Sequence, residues 1–165
     1  MIEILDNYLN INDFKMIRTA MMQYDFPWGI SKIVDDTKEN YLTNLQMVHL
    51  FYNRYAPTGD TIQLLNPIFK KIQPFALLRV KANFMTYYPV VREHDMHYDI
   101  DDGLELPIKT SILYMNTCDG YTKFENGDIV ESIENRLVTF PNTIRHCGTT
   151  TSNSPYRMVI NFNYV

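Results

Sequence analysis

The chain has 165 residues, of which 45% are hydrophobic and 21% charged, enough for one domain with a sizeable core and too few for two. Its net charge of -4 and the lack of any basic cluster denser than Phe69-Lys70-Lys71 disfavour nucleic acid as a partner, because a duplex binder carries a concentrated cationic footprint. The acidic start (Glu3, Asp6, Asp13) is unlike a signal peptide, no apolar run reaches membrane-spanning length, and Cys118 and Cys147 have no CxxC spacing, so a soluble protein of a reducing, cytoplasmic compartment is expected, with both thiols as small buried residues.

Three helical signals come first. "NDFKMIRTAMMQY" sets Phe14, Ile17 and Met21 on one stripe behind a cap at Asn12 or Asp13. "DDTKENYLTNLQMVHLFYNRY" sets Leu42, Leu45, His49 and Tyr52 on another, with Asp36 and Glu39 spaced as a capping box and His49 read as a packed core histidine. "GDTIQLLNPIFKKI" spaces Ile62, Leu65, Phe69 and Ile72 by three and four, with Pro67 expected to kink or divide the helix. Trp28 is read as a packing anchor.

From Phe75 onward the period becomes two. "LLRVKANFMTYYP" alternates Leu78, Val80, Ala82 and Phe84 against Arg79, Lys81 and Asn83. Further strand-like runs are "IKTSILYMN", "YTKFENG", "DIVESI", "NRLVTFP" and "YRMVINFNYV", with "ENGD" and "IENR" as hairpin connections. In the last run Met158, Ile160, Phe162 and Tyr164 share one face, and Arg157, Val159, Asn161 and Asn163 the other. Helices followed by strands imply an α+β fold, with the N-terminal helices on one face of a β-sandwich or a jelly-roll (double-stranded β-helix) barrel and a polar interior. The division expected is a single domain over 1–165, mainly helical over 1–73 and jelly-roll core over 74–165.

The chemistry concentrates in "REHDMHYDID", residues 92–101. His97-Tyr98-Asp99 puts two donors on one side of an extended segment, as a ferrous centre with three protein ligands on one face requires. Alone, an HxD is weak. His146, in "PNTIRHCGTT", lies 47 residues beyond Asp99 and can return beside it on a neighbouring strand, and Arg157 follows eleven residues later on the polar face, where it needs an anion. His94 is a rival ligand, a pocket wall or an exposed loop residue. Asp95, Asp101 and Asp102 read as a solvated loop, and Tyr98 should point away from the metal.

"YYPVVREHDMHYD", "SILYMNTCDGYTKFENG", "NRLVTFPNTIRHCGTT" and "YRMVINFNY" together resemble the iron(II)- and 2-oxoglutarate-dependent dioxygenases, most like the prolyl-hydroxylase-like branch and its small bacteriophage relatives. The resemblance spans about Phe75 to Val165. It implies that His97, Asp99 and His146 bind Fe(II), that Arg157 pairs with the distal carboxylate of 2-oxoglutarate, and that Tyr114, Tyr88, Thr122 and His94 line the co-substrate pocket, with ascorbate as an accessory reductant. The pattern departs from the family in "CDGYT", where Asp119 replaces the first glycine of a "GGxT" turn. The implied activity is hydroxylation of a peptide prolyl or other amino-acid side chain, with dioxygen and a peptide or small-molecule substrate as partners, in the host cytosol if the gene is a phage's. The competing readings are a cupin-like metal-binding or structural protein without turnover, and a zinc hydrolase, which leaves Arg157 unexplained; a nucleic-acid demethylase is disfavoured by the acidic balance.

Overall fold

The computed structural model describes residues 1–33, 45–101 and 106–165. In chain order the elements are β1 (Glu3–Leu5), α1 (Ile11–Met21), β2 (Gly29–Lys32), β3 (Leu45–Asn53), β4 (Ala56–Pro57), a 3-10 turn (Asp60–Leu65), α2 (Asn66–Ile72), β5 (Leu77–Thr86), β6 (Lys109–Tyr114), β7 (Tyr121–Phe124), β8 (Ile129–Glu131), β9 (Leu137–Pro141), β10 (His146–Gly148) and β11 (Tyr156–Tyr164). All named strand pairs are antiparallel. They form a main sheet in the order β1-β9-β6-β11-β5-β3-β2, with β4 on β3, and a small sheet β10-β7-β8. The chain is mostly antiparallel β with few helices, consistent with a jelly-roll-like fold.

The main sheet has two unlike faces because β5 and β11 alternate strictly. Val80 and Ala82 of β5, with Met158, Ile160 and Phe162 of β11, enter a core that also holds Phe14, Ile17 and Met21 of α1 and Ile68 of α2. The fully buried Phe14, Phe51 and Phe162 each contribute about 1.5–3 kcal/mol by leaving water. On the opposite face a second core takes Ile112, Tyr114 and Val159 from the main sheet and Phe124 and Val130 from the small one. The two sheets therefore meet through side chains of β6, β7, β8 and β11.

Local chemistry explains most of the boundaries. The cap of α1 is not Asn12 or Asp13 but Asn10, two residues before the nearer of them, whose side chain accepts from the Asn12 amide at 2.8 Å. Pro67 falls in the first turn of α2, where a missing N–H costs nothing, and the helical run is divided there, as its position suggests, into a 3-10 turn followed by an α-helix. That change of period rotates the stripe: Ile68, rather than Phe69, is the fully buried residue of α2. "ENGD" closes the β7–β8 hairpin with Gly127 at φ 92°. "IENR" does not make a hairpin, since β8 and β9 lie in different sheets; instead Asn135, at φ 61°, exchanges side-chain hydrogen bonds of 2.9 Å with both backbone groups of Leu9.

The second expected helix is corrected. Residues 45–53 are strand β3, paired with β5 and β2, while Asp36, Glu39 and Leu42 lie outside the described residues. The same residues support either period, because His49 and Phe51 are two apart and both buried, and the Val, Phe and Tyr content favours a pleated surface. Thus β2 and β3, which precede residue 73, are part of the main sheet.

His49 is nevertheless the packed histidine the sequence suggests. Its Nδ1–H donates to the Pro27 carbonyl at 3.0 Å and its Nε2 accepts the Thr61 hydroxyl at 2.8 Å, among the rings of Phe26, Trp28 and Phe51. Trp28 is anchored by its indole N–H on the Met21 carbonyl at 3.0 Å. Burial pushes the His49 imidazole below its ordinary value, against the pull of the Pro27 carbonyl. A depressed folded pKa means that the unfolded chain binds the proton first, so this stabilisation is complete above about pH 6.5 and fades as pH falls through that value. Urea titrations at pH 7 and pH 5 are expected to show a smaller pH-dependent loss of stability in His49→Gln than in the wild type; equal losses would contradict the assignment.

Candidate metal centre

The segment before β6 reaches β10 through isolated bridges. Glu93 pairs with Thr149 and His97 with His146, the latter through reciprocal backbone hydrogen bonds of 3.0 and 3.1 Å. This pairing extends the small sheet past β10 and puts two imidazoles, distant in sequence, side by side with ring centroids 5.1 Å apart. Asp99 follows on the same side. Its carboxylate oxygens lie 3.9 Å from His97 Nε2 and 3.8 Å from His146 Nε2, and one donor atom from each of the three residues falls within 4.8 Å of the others.

Each donor is held by its surroundings. His97 Nδ1–H donates to the Asp95 carbonyl at 2.9 Å, which fixes the tautomer and leaves Nε2 with a free lone pair. His146 is buried against Phe140, with ring centroids 4.8 Å apart, and its Nδ1 makes no well-formed hydrogen bond among the described residues, the Ile144 backbone being the polar group that acts on the ring. Burial holds the His146 imidazole below its ordinary value, with Asp99 pulling the other way; it is neutral near pH 7, as a ligand must be.

Asp99 is a buried carboxylate with two partners from the main sheet. Arg79 Nη2 donates to one oxygen at 2.9 Å and Asn163 Nδ2 to the other at 3.1 Å. Burial by itself would raise the carboxyl, but Arg79, His146 and the Asn163 hydrogen bond overcome it and hold the group below the usual carboxylate range. Two imidazole nitrogens and one carboxylate, converging from one side, form the donor set that suits a divalent metal with open positions opposite.

Arg157 occupies the same cavity. Its side chain is 2% exposed, its Nη2 donates to the Tyr121 carbonyl at 3.2 Å and to Thr122 Oγ1 at 3.4 Å, and its Nε has no partner among the described residues. Among the described residues no carboxylate pairs with it. Burial pushes its pKa down, yet a guanidinium stays cationic in a protein, so a buried positive charge faces the metal donors without an anion.

Thr122 and His94 also line this cavity. His94 lies outside the group of three converging donors and so stands as cavity wall. Tyr114 is fully buried one layer behind: its hydroxyl donates to Thr122 Oγ1 at 2.8 Å, and the Arg157 guanidinium lies 5.7 Å from its ring centroid. Tyr88 is not brought to the cavity lining; its ring stacks under the Arg92 guanidinium at 3.8 Å. Tyr98 and Asp101 are exposed, Asp95 is half-buried, and Asp102 lies outside the described residues. Cys118 and Cys147 are free and buried.

Two contributors escape a reading by motif. Arg79 is one, since only the strand register brings it to Asp99. Gly120 is the other: a Cβ there would sit 2.5 Å from Arg157 Cδ and 2.8 Å from the Thr150 carbonyl oxygen, so the second glycine of the turn clears the path of the arginine. Asp119, in place of the first, ties the turn down by accepting from Thr151 Oγ1 and the Ser152 amide, each at 2.8 Å. Gly120→Ala is expected to lower stability by about 1–3 kcal/mol through overpacking, read as a lower urea midpoint with unchanged slope; a wild-type midpoint would show that the arginine has other room.

No protein-family model matches the sequence, and no curated protein matches it. Solved structures do align with the chain. A Pseudomonas putida prolyl-4-hydroxylase aligns over 99% of this chain and 91% of its own, at 10% identity and a TM-score of 0.61. The fold is that of the prolyl hydroxylases and related oxygenases. A Trichoplax adhaerens prolyl hydroxylase, solved in complex with a hypoxia inducible factor oxygen degradation domain peptide fragment, covers 99% of this chain and 82% of its own at 13% identity, TM-score 0.69. HygX from Streptomyces hygroscopicus, solved with nickel and 2-oxoglutarate bound, gives 99%, 82%, 11% and 0.62. The family resemblance read from the residues is thus borne out in the fold.

Proposed function

We propose that this chain is an Fe(II)- and 2-oxoglutarate-dependent dioxygenase that hydroxylates a peptide prolyl or other amino-acid side chain, with residues 1–165 acting as one catalytic unit built on a jelly-roll. The observation that carries this reading is the buried Arg157 guanidinium, without a carboxylate partner among the described residues, in the cavity of the His97, Asp99 and His146 donors. A zinc hydrolase would have no use for that charge. A dicarboxylate co-substrate has one: its distal carboxylate would pair with Arg157 and accept from the Thr122 hydroxyl, which Tyr114 steadies from behind.

His97 Nε2, the Asp99 carboxylate and His146 Nε2 would hold the iron. Bound iron, with 2-oxoglutarate and dioxygen, supplies the redox chemistry, in which one oxygen atom goes to succinate, the other to a substrate C–H bond, and carbon dioxide leaves. The chain's own part is positional. Arg79 and Asn163 keep the Asp99 carboxylate ionised and oriented, the Asp95 carbonyl keeps His97 in the ligating tautomer, and Gly120 lets Arg157 reach inward. The peptide bound to the Trichoplax protein supports a peptide substrate here, and two free buried cysteines support a reducing compartment such as the cytosol. No described helix is long and apolar enough to cross a membrane.

Thermal unfolding with Mn(II), in place of redox-active iron, tests the reading. Saturating metal is expected to stabilise the protein, and 2-oxoglutarate at about a hundred times its Kd to add about 2.7 kcal/mol, in the presence of metal only. Arg157→Ala loses the 2-oxoglutarate increment and keeps that of the metal, whereas His146→Ala loses both. Metal stabilisation indifferent to 2-oxoglutarate would favour the cupin-like binder instead. With ferrous ion and a peptide pool, succinate release and a substrate mass gain of one oxygen are expected.

A further inference from the structure

The cavity has a second polar wall, apart from the three metal donors and Arg157. Strands β5 and β11 pair with Asn161 opposite Lys81 and Val159 opposite Asn83, so Lys81, Asn83 and Asn161 project from the same sheet face as Arg79 and Asn163. All three line the cavity with the metal donors. Lys81 makes no hydrogen bond or ion pair with any described residue, and the charged groups acting on it are Arg79 and Asp99. The carboxamide oxygens of Asn83 and Asn161, residues only 9% and 7% exposed, are buried without a donor among the described residues. Buried polar atoms ordinarily have partners, and two neighbouring carboxamide oxygens without them, beside the half-buried Lys81 ammonium, describe the ligand they await.

The charge balance asks for an anion. Among the described residues of this region Arg79, Lys81 and Arg157 stand against Asp99 alone, an excess of two positive charges. A divalent ion and a 2-oxoglutarate dianion cancel each other and leave that excess in place. Arg79 is already committed to Asp99 and Arg157 lies deeper, beside Thr122. Lys81 is the cation left for a further ligand, one step along β5 from the arginine that holds the metal carboxylate.

Resting on the dioxygenase reading above, we propose that the primary substrate is an amino acid or peptide bearing a carboxylate that pairs with Lys81, with adjacent N–H groups donating to the side-chain oxygens of Asn83 and Asn161. The anchor sits on the metal's own wall, so it sets which C–H bond faces the oxidising centre. A neutral side chain of the same shape leaves the Lys81 charge desolvated and unpaired, which is the origin of the discrimination.

The test uses the full chain with Mn(II) and 2-oxoglutarate, without oxygen, and calorimetric titration of N-acetylated aspartate, glutamate and leucine. Each is compared with its counterpart in which every carboxylate is converted to the amide. At least one carboxylate is expected to bind about tenfold more tightly than its amide, with the preference abolished in Lys81→Met, kept in Lys81→Arg, and 2-oxoglutarate binding retained in both. No carboxylate preference in the wild type, or a preference that survives Lys81→Met, overturns the proposal. Loss of 2-oxoglutarate binding in Lys81→Met also overturns it, by assigning the lysine to the co-substrate. A wild-type protein that does not bind 2-oxoglutarate at all sinks the dioxygenase reading itself, a result separable from the others.

Discussion

Two reciprocal backbone hydrogen bonds between His97 and His146 are the contact on which the site depends. Everything else that could hold a metal follows from them. They fix the register of residues 93–99 against β10, and register decides which side chains share a face, since a slip of one residue would turn His97 and Asp99 away from His146. With the register set, Asp99 lands over the main sheet, within reach of Arg79 on β5 and Asn163 on β11. The site is thus a seam between two sheets, with two ligands from the seam's edge and the support for the third from the opposite wall.

The inner face of the main sheet carries an arrangement that a structural protein would avoid. Among the described residues Arg79, Lys81 and Arg157 point into it with only Asp99 to balance them, and buried cations without partners are costly. Stability is supplied elsewhere, by the apolar core between the other sheet face and α1 and α2, where Phe14, Ile17, Met21 and Phe162 are fully buried. One sheet serves both purposes because side chains alternate along its strands: every second residue of β11 belongs to the core and every other one to the cavity.

That alternation is also why so much was legible in the sequence. In β11 the apolar set Met158, Ile160, Phe162 and Tyr164 and the polar set around Arg157 separate as the period of two requires, and the small share of helix hides none of it. The metal donors were legible because their spacing and flanking motifs carry a chemical requirement. Residues 45–53 were not, because Leu45, His49 and Tyr52 fit a helical stripe while His49 and Phe51 fit a strand, and only pairing with β5 decides between them. β10 is three residues long, His-Cys-Gly, with no periodicity to read; the neighbours that bridge to it make it a strand. The Arg79–Asp99 pair and the clearance at Gly120 are products of register and of close approach between distant segments, which no local pattern encodes. Tyr88 and Tyr114 mark the limit of a motif: both are aromatic, but Tyr114 supports the pocket from one layer behind and Tyr88 stacks on Arg92.

The central claim is that one ion and one dicarboxylate share this cavity, the ion on His97, Asp99 and His146 and the far carboxylate on Arg157. Anomalous diffraction at the manganese edge from crystals grown with Mn(II) and 2-oxoglutarate tests it most directly. The account predicts a single strong peak bonded to His97 Nε2, an Asp99 oxygen and His146 Nε2, with 2-oxoglutarate density running from that peak to the Arg157 guanidinium. A peak elsewhere, or 2-oxoglutarate density that leaves Arg157 untouched, would contradict it.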